Sequence, residues 1–553
     1  MSPAYTIFVG TFIQLPRTKT GADHQLSITR GALWVSTTDG QIKGFDWSIA
    51  NDKDLKALLK TKGWTVVNDP NTKSKSGVKV TLVVAREDQN EFFFPGFIDT
   101  HIHAPQYPNS GLFGSSGLLS WLKTYTFPME KSFGSTKLPS IPPPQAYRVY
   151  NQVIARTLAN GTTCASYFAT IHVPATNLLA TLCHTRGQRA LIGRVCMDNP
   201  DQCPDDYRDP SASDSISATE ATIAHIRSID PSASLLHPII TPRFAPSCTP
   251  PALAQLAHLA ASTSPPMHIQ THLSENIDEC ALVHSLFPQS KDYTSVYDHF
   301  NLLTPRTILA HCVHLSDDER TMIASRKSKL SHCPASNSAL GSGICQVRKA
   351  LDAGITVGLG TDVSGGYSPS VLETVRQACL VSRLLPQFST SPSTTPTDND
   401  PSDDDDDDDD DDGSIPREIL SVEEALYLAT RGGAAVVDMA EQIGGFDLNM
   451  SWDAQMIKLG KFSPAGRWGE RGGVDSAVDV FGDESWTEKV HKWVWNGDDR
   501  NVRMVWVNGQ LVHELVPEGE GSSGKAWRRL VWGVVGVGVV AWVVGRRLKG
   551  GRV

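Results

Sequence analysis

The cysteines of this chain are few and irregularly placed. Ten of the 553 residues are cysteine, and they form neither a C-x-x-C pair nor a regularly spaced framework. Nothing in their spacing therefore indicates a disulfide-stapled scaffold. A secretory signal begins with a basic segment followed by an apolar one, and the first twenty residues lack this pattern. Reduced thiols in a cytoplasmic protein are the simplest interpretation.

A strong charge of one sign is missing from most of the chain. The formal net charge is −10, but residues 386–416 hold twelve acidic and no basic side chains, and the residues after Glu520 hold seven basic and no acidic ones. The remainder is nearly balanced, which argues against a nucleic acid partner. A hydrophobic fraction of 40% and a charged fraction of 20% are typical of a globular protein with an ample core.

Only one apolar run approaches the length of a membrane span. Residues 530–545 are sixteen uncharged residues between two arginine pairs. A helix of that length would reach roughly 24 Å, short of the ~30 Å hydrocarbon core, although flanking arginine and tryptophan side chains could extend it. We interpret the basic and apolar tail at 517–553 as a C-terminal membrane anchor. The alternatives are an interfacial segment and a packed β-rich tail.

Residues 386–416 combine a Ser/Thr/Pro-rich stretch with the unbroken run from Asp403 to Asp412. Such a segment cannot bury apolar surface and repels itself when compact, so we predict a disordered surface insertion that acts as a solvated spacer. A calcium site or a site for a basic partner is the alternative. The run lacks the glycine turn and the graded ligands of an EF-hand loop.

Eight short apolar segments alternate with intervals of helical length. Eight β/α units favour an α/β fold with a closed (β/α)8 TIM-type barrel at 95–442, rather than an open doubly wound sheet. Further β-rich runs, with a hairpin signal at Asn508-Gly509, predict a small β-sandwich built from segments 1–94 and 443–516. The predicted barrel strands are 97–102, 162–168, 190–196, 236–240, 267–271, 307–310, 329–331 and 356–360. The β-rich runs are 5–12, 32–36, 78–84 and 502–512.

Histidine and acidic residues follow several of these predicted strands. The segment PGFIDTHIH places His101 and His103 two residues apart, so both imidazoles point to the same side of a strand. His272, His311 and Asp362 each lie just past another predicted strand. The carboxyl ends of barrel strands meet at one mouth, and neutral imidazole is the commonest metal ligand. The pattern therefore predicts a metal site, with Glu275 three residues beyond His272 and close enough to work beside it.

Longer motifs carry a family resemblance. Over residues 94–376 and again over 421–512, the sequence resembles the amidohydrolase superfamily and, within it, the guanine deaminase family. The H-x-H element and the final aspartate are common to the superfamily, whereas WLKTYTFP, PRFAPSC and GTDVSGGYS look specific to the narrower family. The matches are PGFIDTHIHAPQY, LLSWLKTYTFPMEKSF, GTTCASYF, ITPRFAPSC, THLSEN, LAHCVHLS, SHCPASN and GLGTDVSGGYS.

The resemblance implies one zinc ion per chain and a role for each site residue. Two-metal relatives often carry a carboxylated lysine on a barrel strand, whereas the predicted strand at 190–196 has Arg194 and no lysine, which favours one metal. The implied reaction is hydrolytic deamination of guanine to xanthine and ammonia, and the implied assembly is a homodimer. The implied metal ligands are His101, His103, His272 and Asp362; the implied catalytic residues are Glu275, His311 and Asp362; the implied contacts to guanine are Gln106, Arg243, Phe244 and His311.

Three alternatives stay open at this point. Another mononuclear amidohydrolase could act on a pterin or a triazine, and the set Gln106, Arg243 and Phe244 discriminates against it. A non-catalytic scaffold on the same fold would have lost some metal-binding residues, yet this sequence has a suitable residue at every metal-ligand position. A membrane-tethered interaction protein rests only on the tail and the Asp run. The H-x-E and P-C-x-x-C signature of the other zinc deaminases is absent, which excludes their fold.

Overall fold

The computed structural model describes residues 3–17, 25–67, 77–134, 142–389, 416–461 and 476–515. Its strands form two sheets of nine strands each. The strands are β1 (Tyr5–Gln14), β2 (Ser27–Ser36), β3 (Ile42–Asp46), β4 (Trp64–Val66), β5 (Val78–Val84), β6 (Glu91–Pro95), β7 (Phe97–His103), β8 (Thr162–Phe168), β9 (Arg189–Gly193), β10 (Val195–Cys196), β11 (Leu236–Pro242), β12 (His268–Leu273), β13 (Thr307–His311), β14 (Lys329–His332), β15 (Val357–Leu359), β16 (Ala454–Lys458), β17 (Val502–Val507) and β18 (Gln510–Glu514).

Helices fill most of the intervals between the strands of the second sheet. Short 3-10 and π turns precede or follow several of them. The α-helices are α1 (Asp52–Lys62), α2 (Leu118–Trp121), α3 (Phe127–Lys131), α4 (Pro144–Ala159), α5 (Val173–Arg186), α6 (Ala212–Ile229), α7 (Pro250–Ala261), α8 (Ile277–Leu286), α9 (Tyr293–His299), α10 (Asp317–Ser325), α11 (Pro334–Ala339), α12 (Val347–Asp352), α13 (Val371–Ser382), α14 (Leu385–Ser389), α15 (Val422–Tyr427), α16 (Gly433–Val436) and α17 (Trp486–Asn496).

The first sheet joins the two ends of the chain. Strand β1 pairs with β2 in antiparallel register over ten residues, while β16 pairs with β6 and carries β17 and β18 to the sheet edge. Asn508 and Gly509 both have positive φ, 48° and 73°, which is the conformation of a tight type I′ hairpin turn. The predicted hairpin is therefore present, and its side of the sheet buries aromatic side chains such as Trp452 and Phe93.

The second sheet is the barrel. Its strands run in the order β15-β14-β13-β12-β11-β9-β8-β7, and the ladders between these neighbours are parallel. Hydrogen bonds close the ring between its first and last strands: the Asp362 N–H donates to the His101 carbonyl at 2.8 Å, and the His103 N–H donates to the Val363 carbonyl at 3.0 Å. The predicted fold class, a (β/α)8 barrel with a smaller β unit, is confirmed.

Two predicted segments need correction. The strand predicted at 190–196 is broken at Arg194, because its buried guanidinium turns away to pair with Asp209 and to donate to the Ile171 carbonyl. The disordered insertion predicted from residue 386 starts too early, because the first four of its residues belong to α14, which follows α13 after a short turn. The rest of the insertion up to residue 415 lies outside the described residues.

The predicted membrane anchor at 530–545 also lies outside the described residues. Within the ranges that the structure does describe, no helix is long and apolar enough to cross a bilayer.

A partly buried histidine on β11 makes stability depend on pH. Burial, and then the neighbouring His268 and Arg189 side chains, lower the pKa of His237 to about 4. His237 therefore binds a proton near pH 6.5 in the unfolded chain but only near pH 4 in the folded chain. The free energy of unfolding falls as the pH falls between these two values. The free energy of unfolding should fall between about pH 7 and pH 5. We expect this fall to be smaller in His237→Gln than in the wild type, by about 1–2 kcal/mol.

Urea titrations of the wild type and the variant at both pH values measure this difference. His258→Gln is the matched control, because His258 is exposed on α7. An identical pH dependence in His237→Gln and the wild type would contradict the assignment.

Candidate metal centre and adjoining pocket

Two strand ends and the segment after a third strand bring four side chains together. His101 and His103 project from β7, His272 from β12, and Asp362 follows β15. The Nε2 atoms of His103 and His272 lie 3.2 Å apart, and Asp362 Oδ1 lies 3.1 Å from His101 Nε2 and 3.4 Å from His103 Nε2. All four side chains are buried. The sequence-predicted ligands therefore share one small volume, with their donor atoms facing each other.

The protonation of these side chains fits a bound cation. Burial, followed by the neighbouring imidazoles, lowers the pKa of His272 well below its ordinary value, and burial also lowers the pKa of His103 well below. Neutral rings offer lone pairs. His272 Nδ1 donates its hydrogen to the Arg243 carbonyl at 2.5 Å, so the lone pair of Nε2 is the one that can bind a metal. His101 Nε2 is also buried, and it points to Asp362 Oδ1 at 3.1 Å.

Asp362 supplies the negative charge of the cluster. Its burial raises the carboxyl pKa, but the hydrogen bond from His101 and the charges of the surrounding imidazoles outweigh this and hold the pKa well below its ordinary range. The carboxylate is thus ionised. Three imidazoles and one carboxylate suit a divalent transition metal.

A second group of donors lies beside the first. Donor atoms of His101, His311 and Cys333 come within 4.8 Å of one another. Burial, followed by the charge of Asp362, raises the pKa of the Cys333 thiol well above its ordinary range, so it stays protonated. Only the thiolate is a good metal ligand. The three-histidine group is therefore the stronger candidate for a metal position, and Cys333 is buried beside it.

His311 and Glu275 stand next to the cluster. His311 Nε2 lies 3.3 Å from Glu275 Oε2 and 3.8 Å from Asp362 Oδ2. His311 Nδ1 pairs with Asn337 Oδ1 at 2.9 Å, so the ring donates there and turns Nε2 towards the centre. Burial, and then the charge of Asp362, raises the pKa of Glu275 well above its ordinary value, so this carboxyl can both hold and release a proton.

A pocket opens over the cluster. Gln106, Arg243 and Phe244 line it together with Glu275 and the apolar side chains of Leu118, Trp121, Leu122 and Leu340. The structure therefore brings three of the four sequence-predicted substrate contacts to one cavity beside the predicted ligands, and the fourth, His311, lies 3.3 Å from the cavity residue Glu275. A pocket with mostly apolar walls and a few converging polar groups is typical of a small-molecule site.

Three supporting residues were missed by sequence reasoning. Glu130 accepts hydrogen bonds from both Gln106 and Arg243, Asn337 orients His311, and Asp99 accepts from the Thr361 N–H and hydroxyl below the cluster. Each lies inside a motif quoted above, namely FPMEK, SHCPASN or PGFIDTHIH. The motif was the available signal, but the role of each residue depends on contacts far apart in the chain.

Comparison with known proteins decides the family. The sequence profile of the Amidohydrolase family matches residues 92–398, more than half of the chain. The chain belongs to the amidohydrolase family. Curated amidohydrolase relatives include the probable guanine deaminase of Schizosaccharomyces pombe, 46% identical over 76% of this chain and 71% of the relative, and the guanine deaminase of Homo sapiens, 37% identical over 76% and 83%. The narrower resemblance to guanine deaminases is thereby confirmed.

Solved amidohydrolase structures agree. A guanine deaminase from C. acetobutylicum, determined with guanine bound in its active site, is 30% identical, covers 92% of this chain and all of its own, and superposes with a TM-score of 0.70. The E. coli guanine deaminase covers the same shares at 28% identity with a TM-score of 0.71. The similarity therefore extends over the barrel and the smaller sheet alike.

Proposed function

We propose that this protein catalyses the zinc-dependent hydrolytic deamination of guanine to xanthine and ammonia. The observation that carries the proposal is the pocket itself: a metal-ligand cluster, a carboxyl with a raised pKa at Glu275, and a polar wall made by Gln106 and Arg243 all face one cavity. The similarity to the C. acetobutylicum enzyme, which binds guanine in its active site, supports the choice of substrate.

The metal would be held by His101, His103, His272 and Asp362. A bound zinc ion would supply Lewis-acid chemistry and lower the pKa of a water molecule to about 7. Two-metal relatives carry a carboxylated lysine on the fourth barrel strand, but neither β9 nor β11, the third and fourth strands here, contains a lysine, and Arg194 after β9 is paired with Asp209. We therefore propose a single ion per chain.

Proton transfers fall to two carboxyl groups. Asp362 is ionised and lines the pocket, with its Oδ2 3.8 Å from His311 Nε2, so it accepts the proton of the attacking water as the oxygen adds to C2 of the purine. Burial and the charge of Asp362 raise the pKa of Glu275 and favour its protonated form, which donates to N3 so that negative charge does not build on the ring. Asp362 then passes its proton to the 2-amino group while the Glu275 carboxylate takes the proton of the added hydroxyl, so that the C2–N bond breaks, ammonia leaves and C2 becomes a carbonyl.

His311 holds the new oxygen. Its Nε2 lies between Glu275 and Asp362, where it can hydrogen-bond the oxygen added at C2. Arg243 and Gln106 bind the polar edge of guanine, because the guanidinium is always charged and offers a planar set of donors to a carbonyl. Phe244 lines the same cavity and offers its ring to the purine face.

Asn337 provides a test of the His311 geometry. Asn337→Leu removes the acceptor of the His311 Nδ1 hydrogen, so the ring loses its orientation, and we expect kcat to fall about 10- to 100-fold with little change in KM. Asn337→Asp keeps an oxygen acceptor at the same reach and should retain most of the activity. Steady-state kinetics with guanine measure both, and equal losses in the two variants would contradict the orienting role.

A substrate panel tests the proposed activity against its nearest alternative. Ammonia release should be fast with guanine and at least about 10³-fold slower with adenine, cytosine and pterin, because the pocket wall is built for one set of donors and acceptors. Faster turnover of pterin or a triazine would favour a different amidohydrolase activity. The homodimer implied by the family resemblance and the tail anchor stay predictions.

A further inference from the structure

Glu130 is a carboxylate without solvent exposure, located between the two polar residues of the pocket wall. Its Oε1 accepts from Gln106 Nε2 at 2.7 Å, and its Oε2 accepts from Arg243 Nη1 at 2.7 Å and from the Tyr207 hydroxyl at 2.7 Å. The Arg243 guanidinium also lies 5.2 Å above the Phe127 ring. One buried carboxylate therefore fixes both polar groups that face the substrate position.

The hydrogen-bonding capacity of Glu130 decides how Gln106 is turned. A carboxylate only accepts hydrogen bonds, so Gln106 directs its NH2 group to Glu130. The Gln106 carbonyl oxygen lies on the other branch of the amide, and its contacts to the Ser364 N–H and hydroxyl are long, 3.5 and 3.4 Å. Burial, and then the charge of Glu130, raises the pKa of Tyr207 well above its ordinary range, so Tyr207 remains a donor.

Glu130 also balances the charge of the wall. Arg243 is buried and permanently cationic, and Glu130 is its ion-pair partner at 2.7 Å. A buried cation without a partner would be costly, and it would favour anionic ligands over an uncharged purine. The pair leaves a neutral wall that still presents guanidinium donors.

We propose that Glu130 is a specificity-determining positioning residue: by fixing the Gln106 amide and the Arg243 guanidinium, it selects 2-aminopurines with a 6-oxo group over those with a 6-amino group. Guanine presents an acceptor at O6 beside a donor at N1–H, which complements the Arg243 donors and the Gln106 carbonyl. 2,6-Diaminopurine keeps the 2-amino leaving group but presents a donor at C6 beside an acceptor at N1. The inference rests on the proposed function and names the group that sets its substrate preference.

The test compares two substrates in Glu130→Gln. The wild type should prefer guanine over 2,6-diaminopurine in kcat/KM by at least about 10³-fold, because opposed donors and acceptors are left unpaired in a buried site. In Glu130→Gln an amide can donate to the Gln106 carbonyl and turn that amide over. We expect kcat/KM for guanine to fall about 10²-fold, mainly through KM, and the substrate ratio to fall at least about tenfold.

Two controls separate positioning from a general loss of structure. Tyr207→Phe removes one donor but leaves both contacts of Glu130 to the pocket wall, so the substrate ratio should stay as in the wild type. Metal content and Tm are measured on every variant. If Glu130→Gln does not fold, Glu130→Asp serves instead, because it keeps the charge opposite Arg243 while its shorter side chain withdraws from Gln106.

The outcomes are distinct. A lowered substrate ratio in a folded, metal-loaded variant supports the proposal. Equal losses for both substrates, with the ratio unchanged, would overturn the role of Glu130 while leaving guanine deamination intact. A wild type that does not turn over guanine at all would overturn the proposed function itself.

Discussion

Glu275→Gln should reduce kcat for guanine by about 10³-fold or more, because positioned proton transfer contributes about 10²–10⁴-fold and this carboxyl serves in two steps. The amide retains the size of the side chain and can keep the contact to the Ser342 hydroxyl at 3.3 Å, but it cannot release a proton. Zinc should remain bound at one ion per chain, because Glu275 is not among the four proposed ligands.

The measurement combines single-turnover kinetics with elemental analysis of the purified variant. Glu220→Gln is the control, because Glu220 is exposed on α6 and should leave both readings unchanged. A Glu275→Gln protein with near-normal kcat would refute the proton-shuttle role. Loss of the metal would instead place Glu275 among the ligands.

His101→Ala should abolish turnover by removing one of three converging imidazoles. His101 Nε2 lies 3.1 Å from Asp362 Oδ1, in the middle of the ligand cluster. Loss of this ligand should lower metal occupancy below one tenth and kcat by more than about 10³-fold, since the four-ligand shell of a zinc site is then incomplete.

Thermal unfolding with and without a chelator provides the second reading. A ligand that binds only the folded state stabilises it by about 2.7 kcal/mol at 100 times its Kd, so a chelator should lower the Tm of the wild type. The Tm of His101→Ala should not respond to the chelator. His299→Ala, at an exposed position on α9, should behave as the wild type. Stoichiometric zinc in His101→Ala would refute its ligand role.

Most of the barrel could be predicted because its strands are short apolar segments with clear ends. Strand β8 agrees with its predicted range at both ends, and β7 and β13 run on through the histidines that the pattern placed just beyond them. The break at Arg194 could not be predicted, since it depends on an ion pair with Asp209 on a distant loop. Helix α1, with its Asn51 cap, was also missed among the β-rich runs near the amino terminus.

The ligand cluster could be anticipated because each ligand directly follows a strand, and the topology alone brings strand ends together. The residues that hold the site residues in place could not be anticipated. Asn337 contacts His311 across 26 residues and Glu130 contacts Arg243 across 113, and neither separation has a periodicity that sequence shows. Gly360 illustrates the same limit: a Cβ there would lie 2.8 Å from His101 Cβ, so the close approach of β7 explains the glycine only after folding.

The central claim is that one bound metal and the residues around it convert guanine to xanthine. The most direct measurement follows xanthine formation from guanine by the full-length protein, first as purified, then after chelation, and then after zinc is restored. We expect turnover in the first state, its loss after chelation, and its recovery with about one zinc per chain. Full activity in protein shown by elemental analysis to be free of metal, or no xanthine from the zinc-loaded protein, would contradict the account.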